Sequence, residues 1–180
     1  MQLLPRRWST ARLVARAASA DDAEATHAAW ASLPECTRWL SFPTATSVDE
    51  SRAFLEMVER AWAGEEGHLS WLLYADDVLI GGIGADVDGP TVTVGYVITP
   101  EHWGRGYATE ALRELCAISL AEPDLYRVEA TCDVENIRSA RVLEKVGMQR
   151  EGHLRRHTIF PNVSKAPRDV WLYAKVSEDP

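Results

Sequence analysis

The chain has 180 residues, 46% of them hydrophobic, and a formal net charge of −8. That size suits one domain spanning 1–180 with a sizeable core, and the acidic balance argues against nucleic acid, whose phosphate backbone needs a basic surface. Cys36, Cys116 and Cys132 are widely spaced and in no ligand-like pairing, which speaks against a disulfide framework or a metal site and for reduced thiols in a cytoplasm.

Arg6 and Arg7 near the start and Ala18-Ser19-Ala20 have the outline of a leader and its cleavage site, but Arg12 and Arg16 interrupt any apolar run. Neither a signal peptide nor a membrane span is expected. Ser9 to Arg16 alternates well enough for a first strand, and Asp21 and Asp22 then open a helix from Ala23 to Leu33 that Pro34 stops. Glu35 to Pro43, with Trp39, Leu40 and Phe42, is too apolar for an idle loop and is expected to cover something. Ser47 and Glu50 make a capping box for a helix carrying Phe54, Val58 and Trp62 on one face and ending near Gly64 and Gly67.

Leu69–Ala75 and Val78–Ala85 flank Asp76-Asp77, a hairpin signal, and Asp88-Gly89-Pro90 turns the chain into a third strand. There Val92, Val94, Tyr96 and Ile98 alternate with Thr91, Thr93, Gly95 and Val97 up to Pro100. From Tyr107 the residues Ala108, Ala111, Leu112, Leu115, Cys116 and Ser119 recur at three- and four-residue steps, giving a helix with one core-facing stripe. Gly104 and Gly106 lie between strand and helix. Glycine permits positive φ and close approach, and the first amides of a helix lack internal partners, so this turn is built to hold an anion, with Arg105 adding charge. After Pro123 and Asp124, Arg127–Cys132 forms a strand, and strand, helix, strand in that order makes a right-handed parallel crossover. Asn136 to Val146 is helical and Gly147 ends it; a basic, partly alternating stretch from Met148 to Thr158, a loop from Phe160 to Pro167 and a last strand from Asp169 to Val176 follow.

The P-loop lysine is absent, and the dinucleotide fingerprint needs a third small residue where Thr109 stands. A tight turn with no ligand remains the alternative for these few residues alone. Trp103-Gly104-Arg105-Gly106-Tyr107-Ala108 resembles the Arg/Gln-x-x-Gly-x-Gly/Ala signature of the GNAT acyl-coenzyme A N-acyltransferases, with Trp103 departing at the first position as in the RimJ/RimL-like branch. Asn136-Ile137-Arg138-Ser139-Ala140-Arg141-Val142-Leu143-Glu144-Lys145-Val146-Gly147-Met148 is similar to the second GNAT signature, and the element order agrees from about Arg12 to Val176.

The resemblance implies an α/β fold: a mixed, mostly antiparallel sheet of about seven strands, splayed between the fourth and fifth beyond a bulge and flanked by about four helices. It implies acetyl-coenzyme A as cosubstrate, no metal, and direct attack of an amine on the thioester. Amides near Val97, Ile98 and Thr99 would then hold pantetheine and the oxyanion, and the loop Trp103, Gly104, Arg105, Gly106, Tyr107, Ala108 and Thr109 the pyrophosphate. Asn136, Ser139 and Lys145 would complete the coenzyme site. Leu143 stands where many relatives have an acidic tyrosine, which leaves Ser139 as candidate acid, and the strand offers no carboxylate, which leaves Glu35, Glu135 and Glu151 as candidate bases. The acceptor expected from the branch is a protein or peptide N-terminus, against two alternatives: a small amine of the antibiotic or polyamine kind, or a non-catalytic acyl-coenzyme A sensor. The acidic body favours a cationic acceptor. Either a monomer or a homodimer is compatible with seven tryptophans, most of which belong in the core.

Overall fold

The computed structural model describes residues 4–65 and 67–177. Met1 to Leu3, where the leader reading began, and 178–180, which the span of 1–180 includes, lie outside them. The expected first strand is a hairpin of β1 (Arg7–Ser9) and β2 (Val14–Ala17). Thr10 turns the chain between them: its amide bonds to the Leu13 carbonyl at 2.9 Å, and its hydroxyl accepts from the amides of Arg12 and Leu13. This extra turn is why the sheet has eight strands where about seven were expected.

The helix expected from Ala23 to Leu33 is instead three short pieces. A 3₁₀ turn at Ala20–Asp22 leads to α1 (Ala23–Thr26) and then a π turn at His27–Ala31, in which the Ser32 amide reaches five residues back to His27. Next come α2 (Pro34–Thr37) and α3 (Val48–Trp62), the latter capped by the Ser47 side chain accepting from the Glu50 amide. The buried face of α3 is Leu55, Val58 and Trp62, with Trp62 edge-on to Trp71; Phe54, expected on that face, is half-buried and stacks on Phe42.

In β3 (Leu69–Ala75), β4 (Val78–Asp88) and β5 (Thr91–Ile98) the expected three antiparallel strands form, joined first by Asp76 and Asp77, both at positive φ as a tight hairpin turn requires. Then follow α4 (Tyr107–Ala121), β6 (Arg127–Asp133), α5 (Ile137–Lys145), β7 (Gln149–Thr158) and β8 (Arg168–Val176). The sheet order is β1-β2-β3-β4-β5-β6-β8-β7, and only β5 and β6 run parallel. The irregularity expected on the splaying strand lies elsewhere: β4 pairs with β5 in unbroken register, and register shifts fall between β3 and β4, at Leu73/Tyr74, and between β7 and β8. Leu112, Leu115 and Cys116 of α4 are fully buried and join Val92, Val94 and Val128 in one cluster, which anchors the helix at the parallel junction. Four of the seven tryptophans, Trp8, Trp30, Trp62 and Trp71, are buried.

Candidate active site

The parallel pairing of β5 with β6 covers only Thr91–Thr93 against Arg127–Glu129. Past that point β6 stays paired with β8 through Asp133, while β5 continues along β4, so the two strands part and leave a cleft of about 1160 Å³ between them. The expected splay is therefore here, between the fifth and sixth strands once the extra hairpin strand is counted.

Strand alternation decides which backbone groups face that gap. The Thr99 amide is committed to the Ile80 carbonyl at 2.9 Å, which corrects its expected role as a free donor. Stepping back along an antiparallel ladder, Val97 also faces β4, whereas Ile98 and Tyr96 turn toward the gap. The Ile98 carbonyl is met by the Trp103 indole N–H at 2.6 Å, and its amide points the same way. Trp103 thus has a physical reason to stand at the motif's first position: it satisfies a carbonyl that the splay leaves without a strand partner and that otherwise meets only the weak Cys36 thiol donor at 3.9 Å.

Gly106 caps α4 in the left-handed region, at φ 83°, and Gly104 has φ 75°. Among the described residues, no acceptor is found for the amides from Gly104 to Thr109, whose unfilled donors sit at the start of a 15-residue helix. Those donors fit a pyrophosphate. Arg12 holds the loop from outside the motif: it bonds to the Arg105 carbonyl at 3.1 Å and to Glu110 at 2.6 Å, and lies 4.7 Å from the Tyr107 ring. Arg105 itself is exposed and does not line the cleft.

Asn136 caps α5, its side chain accepting from the Ser139 amide at 3.2 Å, and both residues line the cleft with Arg138, Arg141 and Lys145. The Arg138 guanidinium lies 5.0 Å from the Trp103 ring. Leu143 is fully buried. Ser139 Oγ is 3.0 Å from the Tyr96 hydroxyl, a contact the sequence did not announce because Tyr96 looked like one more inward residue of its strand. Burial pushes the Tyr96 phenol well above its usual range, opposed by the Ser139 hydrogen bond. Burial likewise pushes the neighbouring Cys132 thiol up to about 11.

Of the three candidate bases, Glu35 and Glu135 line the cleft. Glu151 does not; it is bound by Arg127 at 2.7 Å, and that hydrogen bond holds its carboxyl below the usual range. Glu135 is itself tied, 3.1 Å from Arg168, whose guanidinium also grips the fully buried Asp133 carboxylate. With Arg38, Arg138, Arg141 and Lys145 against two carboxylates, the cleft does not share the acidity of the body.

The segment expected to cover something does so. Residues 34–40 close one end of the cleft, and Asn162 fastens them down: its carbonyl accepts from the Thr44 amide at 2.9 Å, and its amide donates to the carbonyls of Thr37 and Phe42 at 2.8 and 2.9 Å. Asn162 therefore fastens the loop from Phe160 to Pro167 to the covering segment. Asn162→Ala should raise the acceptor KM about tenfold and leave acetyl-coenzyme A affinity unchanged, because each lost hydrogen bond contributes about 1 kcal/mol to an ordered pocket wall remote from the coenzyme loop. Steady-state kinetics with each substrate varied in turn checks this, and an equal rise in both KM values would refute it.

Among the described residues, no group of three or more His, Cys, Asp or Glu is placed to hold a metal ion, and no helix is long and apolar enough to cross a membrane.

The model of the acetyltransferase (GNAT) domain family matches residues 12–149. The uncharacterized N-acetyltransferase p20 of Bacillus licheniformis is 29% identical over 150 residues, 81% of this chain and 84% of that one. A GNAT-family acetyltransferase from Bacillus anthracis superposes with a TM-score of 0.80 at 27% identity, covering 96% and 99% of the two chains. The RimL ribosomal L7/L12 α-N-protein acetyltransferase in complex with coenzyme A gives 0.82 at 20% identity, covering 97% of each. The spermidine N-acetyltransferase of Vibrio cholerae, in complex with coenzyme A and spermine, gives 0.77 at 18%, covering 93% and 97%.

Proposed function

We propose that this chain, which belongs to the GNAT acetyltransferase family and is an acetyl-coenzyme A-dependent N-acetyltransferase, takes as its acceptor the α-amine of a protein or peptide N-terminus. The observation that carries this is the poverty of free carboxylates in the cleft: β5 brings none to it, of the two that line it Glu135 is held by Arg168, and the one imidazole of the lining, His102, is engaged at Nδ1 by the Thr99 hydroxyl at 2.7 Å. Only a neutral amine attacks a thioester. An α-amine with pKa ~7.8 is roughly a quarter neutral at pH ~7.4, against about one part in a thousand for a lysine at ~10.4, so an acceptor that arrives deprotonated relieves the protein of a task it is poorly equipped to do.

In this reading the Gly104–Thr109 amides hold the pyrophosphate, and Asn136 and Lys145 line the coenzyme's path. The Ile98 amide donates to the oxyanion as the C–N bond forms. As the C–S bond breaks, Ser139 gives its proton to the thiolate and regains one from the acceptor nitrogen, which must shed a proton to become an amide. The free thiols of Cys36, Cys116 and Cys132 suit a reducing cytoplasm.

The fold likeness to the spermidine enzyme favours a second reading, a polyamine acceptor drawn by the exposed carboxylates of Glu35 and Glu135. One comparison separates them: kcat/KM for a peptide with a free N-terminus and blocked lysines, for its blocked-terminus, free-lysine counterpart, and for spermidine. A preference of about a hundredfold for the free N-terminus is expected. A better lysine peptide, or acetylation of spermidine alone, would overturn the assignment of the acceptor.

A further inference from the structure

We infer that Tyr96 is a positioning residue that aims the Ser139 hydroxyl into the cleft, spanning the gap between the two parted strands to do so. The inference rests on the proposed role of Ser139 as proton donor to the thiolate. A serine on a helix ordinarily turns its hydroxyl back onto the carbonyl three or four residues earlier. Among the described residues Ser139 makes no such bond; its Oγ contacts the Tyr96 hydroxyl at 3.0 Å, and that hydroxyl is also 3.3 Å from the Ser139 carbonyl.

The strand geometry explains how the contact arises. Side chains at Val92, Val94, Tyr96 and Ile98 share one face of β5, and the first two are packed into the core beneath α4. Tyr96 comes after β6 has parted from β5 at Thr93, so it has no ladder partner on the neighbouring strand. A phenol is long enough to bridge the gap to α5, and a tyrosine pointing inward can end on a hydroxyl there.

The Tyr96 hydroxyl has one proton and meets two possible acceptors on Ser139, the carbonyl at 3.3 Å and Oγ at 3.0 Å. The Tyr96 phenol is buried enough to be held in its protonated form, so at neutral pH it has a proton to donate. Shared in a three-centre bond between the Ser139 carbonyl and Oγ, that proton reaches Oγ, whose own proton is then left for the cleft. Cys132 also lies against this pair: Ser139 hydrogen-bonds its thiol, which burial keeps neutral. Tyr96 transfers no proton itself; it fixes a rotamer.

A double-mutant cycle on kcat tests the inference. Tyr96→Phe keeps the ring and removes the hydroxyl, and it is expected to lower kcat about tenfold with acetyl-coenzyme A affinity and melting temperature unchanged. Ser139→Ala is expected to lower kcat about a hundredfold. The double variant should be no slower than Ser139→Ala, because an aiming residue has nothing left to aim. Losses that multiply would overturn the inference, as would a Tyr96→Phe enzyme within twofold of the parent. If Ser139→Ala itself retains turnover, the reading of the serine fails first, and that outcome is distinct from the other two. Should Tyr96→Phe not fold, 3,5-difluorotyrosine at position 96 keeps shape and hydroxyl while strengthening the donor; an altered kcat at constant affinity is expected, and an unaltered kcat overturns the inference.

Discussion

Gly106→Val should lose acetyl-coenzyme A affinity by about a hundredfold or more. Gly106 sits at φ 83°, where a residue with a Cβ is strained by about 1–2 kcal/mol and a β-branched one by more. The loop would relax toward negative φ, and that relaxation re-aims the amides from Gly106 onward, which act together on one ligand. Hydrogen bonds to a charged group contribute about 1.5–3 kcal/mol each, and about 1.4 kcal/mol is tenfold in affinity, so losing two of them reaches the hundredfold. The Cβ itself would meet Arg12 Nη2 at 3.5 Å, an ordinary contact, so the protein should still fold. Isothermal calorimetry on the folded variant reads the effect; an unchanged affinity would mean that the loop amides do not hold the coenzyme.

Ser139→Ala should lower kcat about a hundredfold while leaving coenzyme affinity within twofold. A thiolate leaving without a proton donor is a poorer leaving group, and positioned acid catalysis is worth on the order of a hundredfold or more. No other hydroxyl on α5 replaces it: Leu143, one helical turn further along, is apolar and fully buried. Single-turnover rates at saturating acetyl-coenzyme A isolate the chemical step, and if turnover and affinity both stay within about twofold, Ser139 serves packing alone.

Why some of this was legible beforehand and some was not has a physical basis. The glycine loop and the Asn136 cap could be read because they satisfy local rules: a positive φ, orphaned amides, a side-chain acceptor three residues before its donor. The strands around Asp76 and Asp77 followed from turn chemistry. What escaped were contacts between residues far apart in the chain. Thr10 turning the first strand into a hairpin depends on a side chain competing with the ladder. Arg12 reaching the loop at Arg105, and Asn162 clamping 37 to 44, have no periodicity to announce them. Thr99 was misread for a different reason: its motif position suggests a free amide, but the phase of the β4–β5 ladder, which hydrogen bonds and not residue types set, turns it to Ile80. Glu151, expected near the cleft, is held by Arg127 and does not line it, a contact between distant parts of the chain that no local pattern announces. The sensor reading gives way to the family's enzymes.

The central claim, a cleft that passes acetyl to an amine already neutral on arrival, is tested most directly by the pH dependence of kcat/KM measured on two acceptors of different pKa. For the free-N-terminus peptide, kcat/KM should rise tenfold per pH unit and flatten near ~7.8; for the lysine peptide the same rise should continue toward ~10.4. A single profile shared by both peptides, with its limb in the carboxylate range and abolished by Glu35→Gln, would place a working base in the cleft and contradict the account.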